Sequence, residues 1–418
     1  MSTRRFNDDM ADSPPNPPAK EPSRLVRPAA PQAAPSQPVA QPSRPANPPQ
    51  GIQPLRSAQT PAGRPAAAVG RNLPHMPRTL AQVMNDANDQ VVRGDLSDYV
   101  PLPTGFDPLD GMIGGGLRRT ELVLLGGAQG IGKTIAMLQM ARNIAMRPDQ
   151  FAFYLSYEHT ETHLMNRLLC MESINPPVVD TRTGLKLKDL YDVIISQRAR
   201  ETLGRDGNSI GSLQTILREN PKTSMSLARL NKYSERMIMV KASPAVTTLR
   251  AIREMTTRLV EATNGNLTVF VDYLQKVAIH PERANDENEK VTIVVEGLKD
   301  IALALDVPVV AIVAADREGL KAKRLHLFHL RGSSALDYEC DIAVIMNNKY
   351  HILAKDHVSF NPYQAKQYRD WVVFTVEKNR AGRAMMDMEF QLHAPYFAFD
   401  PRGQAVQQQL IDDKIIES

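Results

Sequence analysis

Eight consecutive residues have the types and spacing of a phosphate-binding loop. Gly127-Ala-Gln-Gly-Ile-Gly-Lys-Thr134 is G-x-x-x-x-G-K-T, and it stands between an apolar run typical of a strand and a helical pattern, the context that this motif requires. Gly127, Gly130 and Gly132 let the backbone curl so that N–H groups face phosphate oxygens, and the helix N terminus adds positive potential. Lys133 would then bridge the β- and γ-phosphates of ATP, and the Thr134 hydroxyl would hold Mg²⁺.

Two carboxylates at predicted strand ends supply what such a loop still lacks. Leu267–Asp272 is an apolar run that ends in Asp272, which is the form of a Walker B strand whose carboxylate holds the metal. Glu158 comes just after the apolar run Phe151–Ser156, at the edge of the sheet where α/β proteins bind ligands. Hydrolysis needs a group that orients or deprotonates water, so Glu158 is the candidate, although its position alone would also suit an ordinary surface glutamate.

The elements that position these residues alternate between strand and helix. Such alternation predicts an α/β fold with a mostly parallel sheet covered on both faces, and the late strands without helices predict an antiparallel addition at one edge. The stretch 171–235 is polar and is interpreted as an insertion. The predicted strands are 121–126, 151–156, 237–240, 267–274, 307–314, 342–346, 371–377 and 385–392, and the predicted helices are 134–146, 160–170, 246–262 and 288–305.

The N-terminal region has a different composition from the rest of the chain. The first 80 residues hold 18 of the 31 prolines and ten Lys or Arg against four acidic residues, so this segment is basic and poor in large apolar side chains. Such a segment cannot bury enough surface to offset its chain entropy, and 1–78 is therefore predicted to be disordered with polyproline II character. It is either a weak basic tether for nucleic acid or a partner, or a solvated tail without a specific role.

Order is predicted to begin with a linker at 79–100. Apolar residues from Leu80 to Val91 recur at helical spacing, Thr79 is a plausible N-cap and Gly94 a plausible stop, which predicts a helix at 80–92. A helix of this length is marginal alone, so its apolar face needs a partner surface. The main domain is then expected at 101–400, followed by a C-terminal tail at 401–418.

Composition excludes several classes of protein. Two cysteines cannot build a disulfide framework or a cysteine-rich zinc module. The N terminus has no apolar region typical of a signal peptide, and no run of about 18 apolar residues is present, so a cytoplasmic protein without a membrane span is expected. His159 and His163 could share a helix face, but a third ligand at zinc spacing is missing from the sequence, so a metal site of that kind is not predicted.

Taken together, the motifs resemble the RecA-like ATPase domain of DnaB-type replicative helicases. The similarity runs in the same order over about 79–400, and Asp-Tyr-Leu-Gln at 272–275 is its most distinctive string. The other matching segments are Thr104-Gly-Phe-Asp-Pro-Leu-Asp110, Gly115-Gly-Leu117, the phosphate loop, Leu155-Ser-Tyr-Glu158, Asn166-Arg-Leu-Leu-Cys170, Leu330 to Asp341 and Lys378-Asn-Arg-Ala-Gly382.

This resemblance implies roles for individual residues. Glu158 would be the catalytic glutamate, and Lys378 and Arg380 would reach the ATP of a neighbouring subunit and stabilise γ-phosphate charge there. ATP sites between subunits imply a homohexameric ring, on which the helix 80–92 would dock against the adjacent subunit. The loop that begins with Arg331, Gly332 and Ser333 would face the central channel and hold single-stranded DNA by its backbone.

A basic segment next to that loop supports a nucleic-acid partner. Arg317-Glu-Gly-Leu-Lys-Ala-Lys-Arg324 carries Arg317, Lys321, Lys323 and Arg324, which either track phosphates in a channel or belong to a solvated loop without that role. The sequence therefore predicts an ATP-dependent DNA helicase or translocase with a role in DNA replication.

The sequence departs from the family pattern at several points. A proline-rich tail stands where the family has a helical N-terminal domain that binds primase. Ala314 or Ala315 stands where the family usually has a glutamine that senses the γ-phosphate, and Gly332 and Ser334 replace a Glu and a Gly. Two alternatives stay open: a RecA-fold ATPase of the RadA or KaiC kind in recombination or regulation, and a ring that binds ATP without unwinding. Against the former, Glu158 is followed by His159 rather than by a second glutamate.

Overall fold

A single mixed sheet organises the described chain. The computed structural model describes residues 77–174, 179–203, 212–280, 283–353, 368–407 and 410, so the tail predicted at 1–78 lies almost entirely outside the described residues. The strands are β1 Leu122–Gly127, β2 Phe151–Ser156, β3 Met237–Lys241, β4 Leu267–Asp272, β5 Val309–Ala314, β6 Ile342–Asn348, β7 Trp371–Asn379, β8 Met386–His393, β9 Ala398–Phe399 and β10 Gln404–Ala405.

The strand order is β10-β8-β7-β6-β1-β5-β4-β2-β3, with β9 paired to β8. Strands β6, β1, β5, β4, β2 and β3 are parallel, whereas β7, β8, β9 and β10 join antiparallel. The predicted parallel sheet with an antiparallel edge is therefore confirmed. The short strand β10 pairs with β8, so the sheet continues past residue 400, where the sequence predicted the start of a tail.

Helices cover both faces of this sheet. On one face α3 and α4 pack with the antiparallel strands, and on the other α8, α9 and α10 form a second apolar cluster. The buried residues Val291, Val294, Leu298 and Ile301 show the helical spacing that fixes α9 to the sheet. The helices are α1 Leu80–Val92, α2 Asp107–Met112, α3 Lys133–Ala145, α4 Glu161–Ser173, α5 Leu187–Leu203, α6 Leu213–Glu219, α7 Ser224–Leu230, α8 Leu249–Ala262, α9 Glu287–Leu305, α10 Ser333–Glu339 and α11 Lys349–Ile352.

The stretch 171–235 adds three helices to this plan. Helices α5, α6 and α7 follow α4, and a small apolar cluster that includes Leu169, Leu190 and Leu217 holds them together. Residues 175–178 and 204–211 lie outside the described part. The segment therefore has a small apolar cluster of its own beside α4.

Helix α1 has the bounds that the sequence predicted. Thr79 and Gln82 form a capping box at its start, in which each side chain accepts a hydrogen bond from the other's backbone N–H. Leu80 and Met84 are 78% and 63% exposed, and within the described chain α1 buries none of its residues. Its apolar side faces solvent in a single copy. Across the described residues, no helix combines the length and the apolar character needed to cross a membrane.

Candidate nucleotide site and DNA-facing loop

The phosphate loop leaves the carboxyl end of β1, near the middle of the sheet. Gly130 and Gly132 have φ values of +78° and +101°, the left-handed region that favours glycine. A side chain at Gly132 would also meet the ring of Phe399 at 3.0 Å. These glycines let the chain turn directly into α3, whose N terminus then faces the loop.

Lys133 is held over this loop by backbone carbonyls. Its Nζ donates to the carbonyl oxygens of Gly127 and Ala128, each at 2.8 Å. Burial lowers the pKa of Lys133 to about 8, while the carboxylates of Asp272 and Glu158 act in the opposite direction. The ammonium group is thus still mostly charged at pH 7 and is placed where phosphate oxygens would replace the carbonyls as its partners.

Asp272, at the end of β4, lies against the first turn of α3. One of its carboxyl oxygens accepts hydrogen bonds from the Thr134 hydroxyl at 2.9 Å and from the Tyr154 hydroxyl at 3.1 Å. The residue is 1% exposed, and this burial raises its pKa to about 6, with the negative charge of Glu158 adding to the effect. Mg²⁺ prefers carboxylate and hydroxyl oxygens, and a cation here would offset the burial of the charge, so the residues fit this metal.

Glu158 lies in the turn after β2, at the same edge of the sheet. The Ser156 hydroxyl accepts the N–H groups of Glu158 at 3.4 Å and of His159 at 3.0 Å, which fixes the turn. Glu158, Lys133 and Asp272 line one cleft of about 460 Å³. The structure therefore brings together the three charged residues that were predicted to act on the nucleotide.

Arg167 is a cleft residue that the sequence did not single out. It lies on α4, lines the same cleft, and has its guanidinium 5.0 Å from the centre of the Phe397 ring. Its Nε donates to His163 Nε2 at 3.0 Å, and His163 in turn lies against His159. Burial lowers the pKa of Arg167, although the guanidinium remains charged. A second positive charge thus faces the cleft.

Lys378 and Arg380 lie at the other end of the parallel strands, away from the phosphate loop. Because β7 runs antiparallel to β6, its last residue Asn379 is level with Ile342, the first residue of β6. The N–H of Arg380 donates to Asp341 O, and the N–H of Asp341 donates to Leu122 O, each at 2.9 Å. Since β1 rises by about 3.3 Å per residue, roughly 17 Å of strand separates this end from the phosphate loop. Neither side chain lines the cleft of its own chain.

Both side chains bind the helix α10 at that end of the strands. The Lys378 ammonium donates to the carbonyl of Asp337, and the Arg380 guanidinium donates to the carbonyl of Tyr338. Arg380 also pairs with Asp341 at 3.3 Å, and half of its side chain is exposed. Arg380, which together with Lys378 is called the finger below, is therefore accessible from outside the chain.

The predicted DNA-facing residues lie between β5 and α10. Arg331 lines the cleft and pairs through Nη1 with Glu287 Oε1 on α9 at 2.6 Å. Gly332 has a φ of +83° and caps α10, and Ser333 begins that helix, with its side chain outside the described part. Arg317, Lys321 and Lys323 are exposed on the preceding loop.

The structure corrects the prediction for Arg324. This residue is 6% exposed, and its Nη2 donates to Asp387 Oδ1 at 2.5 Å and to Thr375 Oγ1 at 3.2 Å. The ion pair anchors the basic loop to β7 and β8. A buried, paired guanidinium cannot track phosphates, so Arg324 is removed from the DNA-facing set.

Fold and site together define a P-loop ATPase domain with the RecA-like arrangement, in which Asp272 and Glu158 lie at the carboxyl ends of two strands beside the phosphate loop. The sequence matches the DnaB-like helicase C-terminal domain over residues 101–400, and the chain belongs to this family. Membership decides against the RadA or KaiC alternative.

Several known proteins are similar to this chain. The replicative DNA helicase DnaC of Bacillus subtilis (strain 168) is 26% identical over 251 residues, covering 60% of this chain and 47% of the relative. The replicative DNA helicase DnaB of Rickettsia bellii (strain RML369-C) is 27% identical over 285 residues, covering 65% and 50%. The chain therefore spans about half the length of these curated relatives.

A solved structure shows the same fold. A DnaB-like replicative helicase, whose structure was solved together with its interactions with primase, superposes with a TM-score of 0.53 at 20% sequence identity. The superposition covers 78% of this chain and 67% of that one. The RecA-like fold predicted from the sequence is thus confirmed.

Proposed function

We propose that this chain is the motor of an ATP-dependent helicase or translocase in DNA replication, which hydrolyses ATP between the subunits of a homohexameric ring around single-stranded DNA. The observation that carries the proposal is the placement of these groups at opposite ends of the parallel strands. Lys133, Asp272 and Glu158 lie at the carboxyl ends, and Arg380 lies at the other end. One copy cannot bring these groups together, whereas a ring of copies can.

Each copy would bind ATP at the carboxyl edge of its sheet. Backbone N–H groups of the phosphate loop and the Lys133 ammonium would hold the β- and γ-phosphates, and the carbonyls of Gly127 and Ala128 would release that ammonium. Thr134 and Asp272 would hold Mg²⁺. When bound, the metal would neutralise charge that develops on the phosphate oxygens.

Glu158 would act on water. It lines the same cleft as Lys133, so its carboxylate would be within reach of a water molecule beside the γ-phosphate. Its carboxylate would orient this water and take its proton. Arg167 would add positive charge from the same copy.

Arg380 and Lys378 of an adjacent copy would complete the site. A finger of this kind stabilises charge on the γ-phosphate during transfer, typically by about 10³–10⁵ in kcat. To reach a neighbour's ATP, both side chains must first leave the carbonyls of α10 that they bind in a single copy. Helix α1, with its exposed apolar side, is proposed to dock on the adjacent copy and hold the ring together.

Single-stranded DNA would be held by its backbone on the loop that carries Arg317, Lys321, Lys323 and Arg331. These residues present positive charge next to the nucleotide cleft, so binding should be tolerant of sequence and sensitive to salt. Glu287 competes for Arg331, so this contact would form by exchange of a carboxylate for a phosphate.

A strand-displacement assay tests the proposal. Wild-type protein with forked DNA, Mg²⁺ and ATP should release the displaced strand, and neither ADP nor the Glu158→Gln variant with ATP should do so. Single-stranded DNA should also accelerate ATP hydrolysis. ATPase activity in a stable ring without strand release would instead support the ring that does not unwind.

A further inference from the structure

Gln275 connects the metal-binding strand to the strand beside it. It lies in a 3₁₀ turn, Leu274–Lys276, three residues after Asp272, and is 7% exposed. Its side-chain Oε1 accepts the N–H of Ala314 at 3.2 Å, and its Nε2 lies 3.5 Å from the carbonyl oxygen of Ala314. One amide side chain therefore holds both backbone groups of the last residue of β5.

Ala314 is also the point at which the DNA-facing loop is anchored. The N–H of Arg331 donates to the carbonyl oxygen of Ala314 at 3.2 Å, and Ala315 pairs with Leu330 across the base of the loop. A carbonyl oxygen has two lone pairs, so it can accept from both Arg331 and Gln275. The position of Arg331 is thus set by the same backbone group that Gln275 holds.

Helix α9 fixes the other side of this connection. Lys290 donates through Nζ to the carbonyl oxygen of Gln275 at 2.9 Å. One turn earlier, Glu287 pairs with Arg331. The contacts form a closed circuit in which Gln275 and Arg331 are joined through Ala314 on one side and through α9 on the other. A shift of the turn after β4 must therefore displace Arg331 or break one of these contacts.

The residues at the end of β5 cannot carry such a signal by their side chains. Ala314 and Ala315 both line the nucleotide cleft, but each offers only a methyl group. We propose that Gln275 is the positioning residue that couples the nucleotide state at Asp272 to Arg331, acting through the backbone of Ala314. This inference rests on the proposed function, since it requires that ATP and single-stranded DNA bind the sites described above.

Coupling of this kind is reciprocal. If nucleotide state changes the affinity for DNA, then DNA must change the affinity for nucleotide by the same factor, typically about 5–150-fold. Loss of the amide contact should reduce both effects together. The two ligands should still bind, because Gln275 itself lines neither the nucleotide cleft nor the exposed basic loop.

The test compares Gln275→Met with a matched control, Gln139→Met. Gln139 is buried on α3 and clamps Phe399 in the same way, because its Oε1 accepts the Phe399 N–H at 2.7 Å and its Nε2 donates to the Phe399 carbonyl at 2.9 Å. Methionine keeps the length of the side chain and removes both hydrogen bonds. ATPase rates are measured with and without single-stranded DNA, and the Kd for a labelled oligonucleotide is measured with ADP and with a non-hydrolysable ATP analogue.

For Gln275→Met, the ATPase rate without DNA should stay close to that of wild type, while stimulation by DNA and the ratio of the two Kd values should both fall to about one. Gln139→Met should keep the wild-type stimulation and Kd ratio even if its melting temperature is lower. If Gln275→Met fails to fold, Gln275→Glu replaces it: a carboxylate still accepts from the Ala314 N–H but cannot donate, so part of the stimulation should remain and the Kd ratio should fall.

The outcomes separate this inference from the proposed function. A wild-type protein that DNA does not stimulate, and whose DNA affinity is independent of nucleotide, would overturn both. Wild-type stimulation that persists unchanged in the Gln275 variant would overturn the coupling role alone. Loss of stimulation in both glutamine variants to the same extent would also overturn it, because it would show a general effect of core damage.

Discussion

Replacing Asp272 by asparagine should stabilise the nucleotide-free protein at pH 8 while it abolishes ATP hydrolysis. The carboxyl is 1% exposed, and one of its oxygens accepts both the Thr134 and the Tyr154 hydroxyl. An amide oxygen at this position would accept the same two hydrogen bonds. The substitution therefore removes a buried charge with little change in shape, and it removes the carboxylate that would hold Mg²⁺.

The magnitude follows from the pKa of Asp272. Burial raises this pKa from 3.8 to about 6, and two units at 1.36 kcal/mol each amount to roughly 3 kcal/mol. The pKa of Asp272 in the folded protein lies above its unfolded value. The protonated carboxyl therefore contributes stability that is fully present below pH 3.8 and is lost as the pH rises through about 6. The attraction between Asp272 and Lys133 already lowers this pKa, so the full amount applies, and Asp272→Asn should gain roughly 3 kcal/mol at pH 8, or about 4 °C in Tm for a domain of this size.

Thermal unfolding in EDTA without nucleotide measures this gain. Between pH 8 and pH 5 the advantage of Asp272→Asn over wild type should shrink by roughly half, since wild type regains a proton on Asp272. The matched control is Asp341→Asn. Asp341 is another strand-edge carboxylate with little exposure, but it pairs with Lys299 at 2.7 Å and Arg380 at 3.3 Å, so its replacement should destabilise the protein at pH 8. An Asp272→Asn protein that melts below wild type at pH 8, or a gain that does not depend on pH, would refute the reasoning.

Three further predictions concern the site and the basic loop. Lys133→Ala should weaken ATP binding and abolish turnover. Glu158→Gln should still bind ATP but should lose about 10²–10⁴ in kcat. An unchanged kcat for Glu158→Gln would show that this residue does not activate water. Arg324→Ala should lower the melting temperature, because Asp387 loses its ionic partner, and should not alter the salt dependence of DNA binding. Lys321→Ala should reduce the slope of DNA affinity against salt concentration by about 0.7 without affecting stability. The reverse pattern would restore Arg324 to the DNA-facing set. Mg²⁺-dependent ATP binding by titration calorimetry should weaken as the pH falls through about 6, because the protonated carboxyl of Asp272 is a poor ligand, and constant affinity down to pH 5 would contradict the burial argument.

Much of the fold could be predicted because local pattern and position in the sheet agree. The apolar runs that end in Gly127, Ser156 and Asp272 are strands whose carboxyl ends meet at one edge, so motifs far apart in the chain were expected to converge there. The antiparallel edge followed from the sequence pattern after residue 341, which predicts successive strands without helices between them. Those inferences depend on short-range periodicity, which a single sequence carries.

The rest depends on contacts between residues that are distant in the sequence. Arg324 was assigned to DNA because it ends a basic run, but its partner Asp387 lies 63 residues further on, and only the packing of the loop on β7 and β8 buries the pair. Gln275 meets Ala314 across 39 residues. Arg167 was missed, but its position in the sequence could have identified it. It lies on the first helix after Glu158 and one turn beyond His163, a position from which a side chain can face the same cleft.

The central claim is that two copies of the chain complete each ATP site, and mixed subunits test it most directly. Arg380→Ala keeps Glu158 and lacks the finger, whereas Glu158→Gln keeps the finger and lacks the water-activating carboxylate. Each variant alone should have little ATPase activity. When the two are mixed under conditions in which subunits exchange, some interfaces pair an intact Glu158 with an intact Arg380, so activity should rise well above that of either variant. A mixture that forms rings yet is no more active than its better component would contradict the account.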